Sequence, residues 1–144
     1  MGETQFKSLY CRINYCMKQQ TENWLKIAKY DLNVAKGNFK LGFNLKVFEN
    51  CHSSLEKLLK AIIVEHGKIN PPKIHDLLKL TSLALIKNLQ DDIKSVLDEL
   101  NEVYITTRYP ENIEEVLLQL SKEKTKIILT KSERIFKWLE KKIN

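Results

Sequence analysis

The stretch from Asn44 to His66 constrains this chain more than any other. Phe48, Cys51, Leu55, Leu58, Leu59, Ile62 and Ile63 recur at three- and four-residue steps, which puts them on one broad face of a helix. A face that wide must be covered on several sides, so the helix needs partner helices or a sheet around it. The polar side of the same helix carries His52, Glu56, Lys57 and Lys60. Downstream, "GKINPPK" closes it: Gly67 permits a left-handed C-cap, and Pro71-Pro72 cannot continue a helix.

The covering elements read as helices too. Trp24, Ala28, Leu32, Ala35 and Phe39 predict a helix over about Glu22 to Leu41. Thr21 or Asn23 is placed to cap its start and Gly42 falls near its end. "HDLLKLTSLALI" restarts a helix at about His75, and the polar residues Lys87 to Asp91 break it. Ile93, Leu97, Leu100 and Tyr104 align in the next, which Thr106-Thr107 and Pro110 stop. A last helix is expected over about Asn112 to Ile143, with Leu117, Leu120, Ile128, Ile135, Trp138 and Leu139 as its apolar positions. No alternating β-branched run bounded by turns competes. The fold class that follows is all-α: an up-and-down four-helix bundle with a short extra helix in the middle connection. At 144 residues, with four Gly and three Pro, one helix-rich domain accounts for the chain.

The twenty residues before the first helix lack a clear period, and "MKQQTENW" from Met17 resembles a natural start. Residues 1–20 therefore read as a peripheral N-terminal extension and residues 21–144 as the bundle. The first sixteen residues carry no expected chemistry. No run of eighteen apolar residues occurs, and the N-terminus lacks an apolar core of signal-peptide length. The expectation is a cytoplasmic protein with no membrane partner.

Charge is distributed unevenly. The formal net charge is +6, yet Lys122 to Lys142 holds eight Lys/Arg against three acids, whereas Leu89 to Glu102 holds five acids against one lysine. Such faces bind polyanions or an oppositely charged partner when they are not merely solvated. Cys11, Cys16 and Cys51 have no nearby histidine or cysteine to complete a four-ligand set, so no metal and no cofactor is expected.

Four segments occur in order: "WLKIAKYDLNVA" at Trp24–Ala35, "CHSSLEKLLKAII" at Cys51–Ile63, "HDL" at His75–Leu77 and "YITTRYP" at Tyr104–Pro110. Together they resemble the HEPN domain family, over roughly Asn23 to Lys142. The resemblance implies a helical bundle that usually forms a homodimer. It also implies a frequent gene neighbour, a minimal nucleotidyltransferase, with which such proteins form toxin–antitoxin pairs. Active members are metal-independent ribonucleases whose signature is an arginine followed, after four to six residues, by a histidine at the dimer cleft.

That signature is absent here. Behind Arg108 the eligible positions are Ile113, Glu114 and Glu115; behind Arg12 they are Met17, Lys18 and Gln19; behind Arg134 they are Leu139, Glu140 and Lys141. The last histidine in the chain is His75. The chain resembles instead the branch whose corner reads Arg-Tyr-Pro, as Arg108-Tyr109-Pro110 does. It departs from relatives at His52-Ser53-Ser54, where Gln-Gln-Ala is common.

The candidate binding residues are Arg108, Tyr109, Tyr104, Lys57, Lys60 and His75. Arg108 offers a bidentate fork for phosphate or carboxylate, unless it satisfies helix carbonyls or pairs with Glu111. Tyr104 lies on the apolar stripe and Tyr109 is freer to stack on a base. Lys57 and Lys60 reach toward phosphate, unless Glu56 neutralises Lys60 as an i,i+4 surface pair. His75-Asp76 opens a helix, so Asp76 is expected to cap it. His52 and His66 read as interface or capping residues. The function expected is a nucleotide- or RNA-phosphate-binding or partner-docking module. The alternatives are a metal-independent ribonuclease using His75 and Arg108, and a scaffold that dimerises by pairing acidic with basic helices.

Overall fold

The computed structural model describes residues 17–67, 70–109, 111 and 113–144. The N-terminal sixteen residues, Pro110, and Asn112 at the expected start of the last helix lie outside them. Among the described residues every regular element is a helix: α1 (Gln19–Leu41), α2 (Asn44–His66), α3 (Leu77–Leu83), α4 (Asp91–Thr106), α5 (Ile113–Gln119) and α6 (Lys122–Glu140). The four long helices α1, α2, α4 and α6 form the bundle, and α3 is the short extra helix in the middle connection.

The α2 stripe is the centre of the core. Phe48, Cys51, Leu55, Leu58, Leu59 and Ile62 are buried, and α1, α3, α4 and α6 all pack against this helix. Ala28 and Ala35 of α1 are fully buried, and small residues there let the two backbones approach closely. Gly42 turns the chain from α1 into α2 with φ 81°, a left-handed conformation that favours glycine. The Phe43 amide donates to the Asn38 carbonyl, completing the helix-ending motif.

The start of α1 differs from expectation. Neither Thr21 nor Asn23 caps it; Lys18 precedes the first turn, and Thr21 is buried with its hydroxyl unpartnered. The capping acceptor comes from another helix: the Lys18 amide donates to the Glu65 carboxylate at 3.2 Å, where a negative charge also complements the α1 dipole. The Lys18 ammonium in turn donates to the carbonyls of Val64 and Gly67. Those bonds satisfy the end of α2, so Gly67 sits extended at φ −109°, ψ 169° rather than left-handed.

The last predicted helix is two. Leu120 is buried and its carbonyl accepts from the Asn44 side chain at 2.8 Å, which draws the backbone out of helical register. Ser121 is extended and its hydroxyl accepts the Lys124 amide at 3.1 Å, restarting the helix as an N-cap.

Asp76 caps α3 as expected, accepting from the amides of Leu78 and Lys79. The same oxygen accepts from the Asn101 side chain at 3.0 Å, and Asn101 accepts the Leu77 amide at 3.0 Å. The start of α3 is thereby fixed to α4. Asp76→Ala should lower unfolding free energy by about 1–2 kcal/mol, measured by urea denaturation; an unchanged midpoint would show that the cap and the Asn101 tie contribute nothing.

Candidate functional site

The junction of α2, α4 and the segment leading into α3 encloses an open cleft of about 470 Å³. Its lining comprises Glu49, His52, Ser53, Glu56, His75, Tyr104, Thr107 and Arg108. Three of the residues expected from sequence meet here: His75, Tyr104 and Arg108. They arrive from different elements. Tyr104 and Arg108 lie one turn apart at the C-terminal end of α4, and His75 stands beside the Asp76 cap that is tied to that helix.

Tyr104 organises the cleft. Its ring stacks on His52 at 4.3 Å between centroids with 9° between planes, and His75 tilts against it at 5.5 Å. The Arg108 guanidinium lies 4.2 Å from the same ring and donates to the Tyr104 hydroxyl, a cation–π geometry. The expected choice between core packing and stacking resolves into both: the residue is half-buried, packed on one histidine and in contact with another.

The electrostatics leave a single charge uncompensated. Glu49 pairs with Lys46 at 2.8 Å. Glu56 is buried, and its two oxygens accept from Lys60 at 3.3 Å and from His75 Nδ1 at 2.8 Å. Arg108 forms no ion pair with any described residue, Glu111 included. Ser53 donates to Asp31, and Thr107 donates to the Tyr104 carbonyl. His52 is only 1% exposed, and burial lowers its pKa below the ordinary 6.5, against a raising influence from Glu56. Its Nε2 has no hydrogen-bond partner, an orphan of the kind a ligand or water satisfies.

The remaining expected residues lie elsewhere. Lys57 is bound to Asp31 of α1. Lys60 is not an exposed partner of Glu56 but a buried one, 5.7 Å from the Trp24 ring. Tyr109 is exposed and does not line the cleft. His66 Nε2 meets the Lys142 carbonyl, joining α2 to the C-terminus of α6. The cleft residues that were not among the sequence candidates are Thr107 and, on α2, Glu49, His52, Ser53 and Glu56. Their spacing was a usable signal: polar residues one turn apart on an otherwise apolar helix mark a face that is neither core nor plain surface.

Cys51 is no nucleophile, since burial pushes its thiol up to about 12. Among the described residues no cluster of His, Cys, Asp and Glu has the makings of a metal site, and no helix is long and apolar enough to cross a membrane.

The histidine that burial keeps neutral links folding to pH. Below about 6.5 the unfolded chain protonates His52 while the folded one resists, so this contribution to stability is present above that value and declines as pH falls. His52→Asn should therefore flatten the loss of thermal stability between about pH 7 and pH 5. Parallel melting curves for variant and wild type would remove His52 from the pH response.

The family model described as the HEPN domain matches residues 21–142. Among curated proteins none matches the chain. A solved structure, that of TT1696 from Thermus thermophilus, shares the fold with a TM-score of 0.73. The two are 21% identical, and the alignment covers 87% of this chain and 99% of that one.

Proposed function

We propose, on the premise that this chain belongs to the HEPN domain family, that the Tyr104–Arg108 cleft binds a phosphate-bearing ligand, a nucleotide or an RNA phosphodiester. The observation that carries the reading is the charge allocation. Both carboxylates of the cleft already have cations, while the Arg108 fork is held against Tyr104 with none of its charge neutralised by a carboxylate. A guanidinium in that state is suited to bidentate phosphate recognition. His52 and His75 stand in the same cleft. Tyr109, exposed beyond the rim, is placed to meet a base. A ligand of this class makes a minimal nucleotidyltransferase the natural partner, in a toxin–antitoxin pairing.

Equilibrium binding of ATP, GTP and short single-stranded RNA tests the reading. Arg108→Ala should weaken the ligand that binds by about 10- to 100-fold, the equivalent of one or two charged hydrogen bonds. Arg108→Lys should recover only part of that, because a point charge cannot make the fork contact. Equal binding by wild type and Arg108→Ala would remove the arginine from the site. Co-purification with a co-expressed minimal nucleotidyltransferase tests the partner.

One feature favours a second reading, metal-independent RNA cleavage. A carboxylate ion can only accept, so His75 Nδ1 is the donor to Glu56, and in the neutral ring Nε2 is then the acceptor. An imidazole oriented in this way beside a phosphate-binding arginine is suited to removing a 2′-hydroxyl proton. This reading expects RNA cleavage in the presence of EDTA, abolished in His75→Ala. Intact RNA after prolonged incubation with wild type would sink it and leave the binding reading standing.

A further inference from the structure

The start of α4 and the end of α6 enclose a hollow of about 490 Å³, which shares no residue with the Arg108 cleft. Its floor is apolar. Val96 and Ile135 are each 4% exposed, and Ile93 and the Trp138 indole are partly buried beside them. Ile93 and Val96 lie one turn apart on α4, as Ile135 and Trp138 do on α6, so one face of each helix contributes. A hollow of this size with an apolar lining and a few polar groups at its mouth has the make-up of a small-molecule site.

Three charged side chains line it. Lys131 and Arg134 come from α6, and neither forms an ion pair with a described residue. The one acid is Asp92, in the first turn of α4, whose carboxylate accepts the Ile93 amide at 2.9 Å. The lining therefore carries one positive charge in excess. The next acids along α4, Glu99 and Glu102, line a separate hollow with Glu115, where Lys124 is the only cation. An anion is favoured in the first hollow and repelled from the second.

The remaining groups are held in place. Asn88 and Gln90 present side-chain amides that make no hydrogen bond to a described residue, and Asn88 sits at φ 59°, a left-handed conformation that asparagine tolerates better than most residues. The Lys142 ammonium lies 4.4 Å from the centre of the Trp138 ring, and the Lys142 carbonyl meets His66 Nε2 at 2.8 Å. An indole fixed in this way, one turn from a guanidinium, loses little freedom when a ligand settles on it.

We propose that this hollow binds a small aromatic carboxylate. The flat body lies on Trp138, Ile93 and Val96, where burial and ring contact hold it. The carboxylate meets the Arg134 fork, with Lys131 beside it. One net positive charge matches one negative charge; a phosphate dianion exceeds it and is repelled more strongly by Asp92. The ligand class thus differs from the phosphate proposed for the cleft, whose arginine has no carboxylate beside it without a cation of its own.

Naphthalene-2-carboxylate is the probe that tests the site. The chain has two tryptophans, so its NMR spectrum has two indole N–H signals, assigned with Trp24→Phe. Titration should move the Trp138 signal saturably and leave that of Trp24 in place. Naphthalene-2-carboxamide, the same body without charge, should bind about tenfold more weakly or worse, as should the carboxylate to Lys131→Gln with Arg134→Gln. Arg108→Ala should bind the carboxylate as wild type does, and 2-naphthyl phosphate should bind wild type no more tightly than the carboxylate. An unmoved Trp138 signal, equal binding of carboxylate and carboxamide, tighter binding of the phosphate, or loss of binding in Arg108→Ala would each overturn the proposal. The carboxamide and phosphate comparisons are made on wild type, so they decide the matter even if the double variant fails to fold.

Discussion

Glu56 is the constraint on which the cleft depends. A carboxylate that is only 8% exposed costs several kcal/mol in lost hydration unless cations and donors replace the water. Here the replacement has two parts. Lys60, one turn along the same helix and itself buried under Trp24, takes one oxygen; His75, from the segment before α3, takes the other. Because the carboxylate must have both, the backbone leading into α3 is held against α2. The Asp76 cap and its bonds with Asn101 then bring α4 to the same point. Tyr104 reaches His52 and His75 as a consequence of that arrangement. The site is therefore built outward from a buried charge rather than set on the surface of a finished bundle.

Elsewhere in the molecule, too, some charges are paired within the fold and others are left unpaired. Asp31 is satisfied by Lys57 and Ser53; Glu133 and Glu140 face lysines of α1. In the cleft, Arg108 stands unopposed by a carboxylate; between α4 and α6, Asp92, Glu99 and Glu102 line hollows shared with Lys124, Lys131 and Arg134, and no ion pair joins the two helices among the described residues. Exposed ion pairs contribute little to stability, commonly under about 1 kcal/mol. Charges that the fold leaves unpaired in an ordered pattern are more informative than those it pairs, since their energy is still available to a ligand.

Much of the bundle was legible in the sequence because it rests on periodicity. The stripe from Phe48 to Ile63, the Gly42 turn and the Asp76 cap are local patterns with local causes, and the structure contains them as read. The differences all have causes that lie far away along the chain. Glu65 supplies the cap that made Thr21 and Asn23 unnecessary; Asn44, by bonding the Leu120 carbonyl, splits the last helix; Lys18 satisfies the end of α2 and leaves Gly67 extended. The cleft divides the same way. Tyr104, Arg108 and His75 carried residue-type signals. His52 and Glu56 carried only a spacing signal on α2, because their roles come from burial by helices that are distant in sequence, and the i,i+4 spacing of Glu56 and Lys60 reads the same whether a pair is solvated or enclosed.

The position behind Arg108 shows what this division means for chemistry. An acidic run where a histidine would complete a ribonuclease signature suggests that phosphate is repelled from the corner. In the folded chain Glu115 lines a hollow between α4 and α6 with Glu99 and Glu102, and neither Glu114 nor Glu115 lines the cleft. The imidazoles near Arg108 come from the other direction, His52 from α2 and His75 from the approach to α3. Helix α4 thus divides the two kinds of residue, with aromatic rings, imidazoles and the free arginine on its α2 side and carboxylates on its α6 side. A missing histidine in linear spacing does not leave the arginine without one in space. It moves the choice between binding and cleavage onto the geometry of His75, whose tautomer is set by the buried carboxylate beneath it.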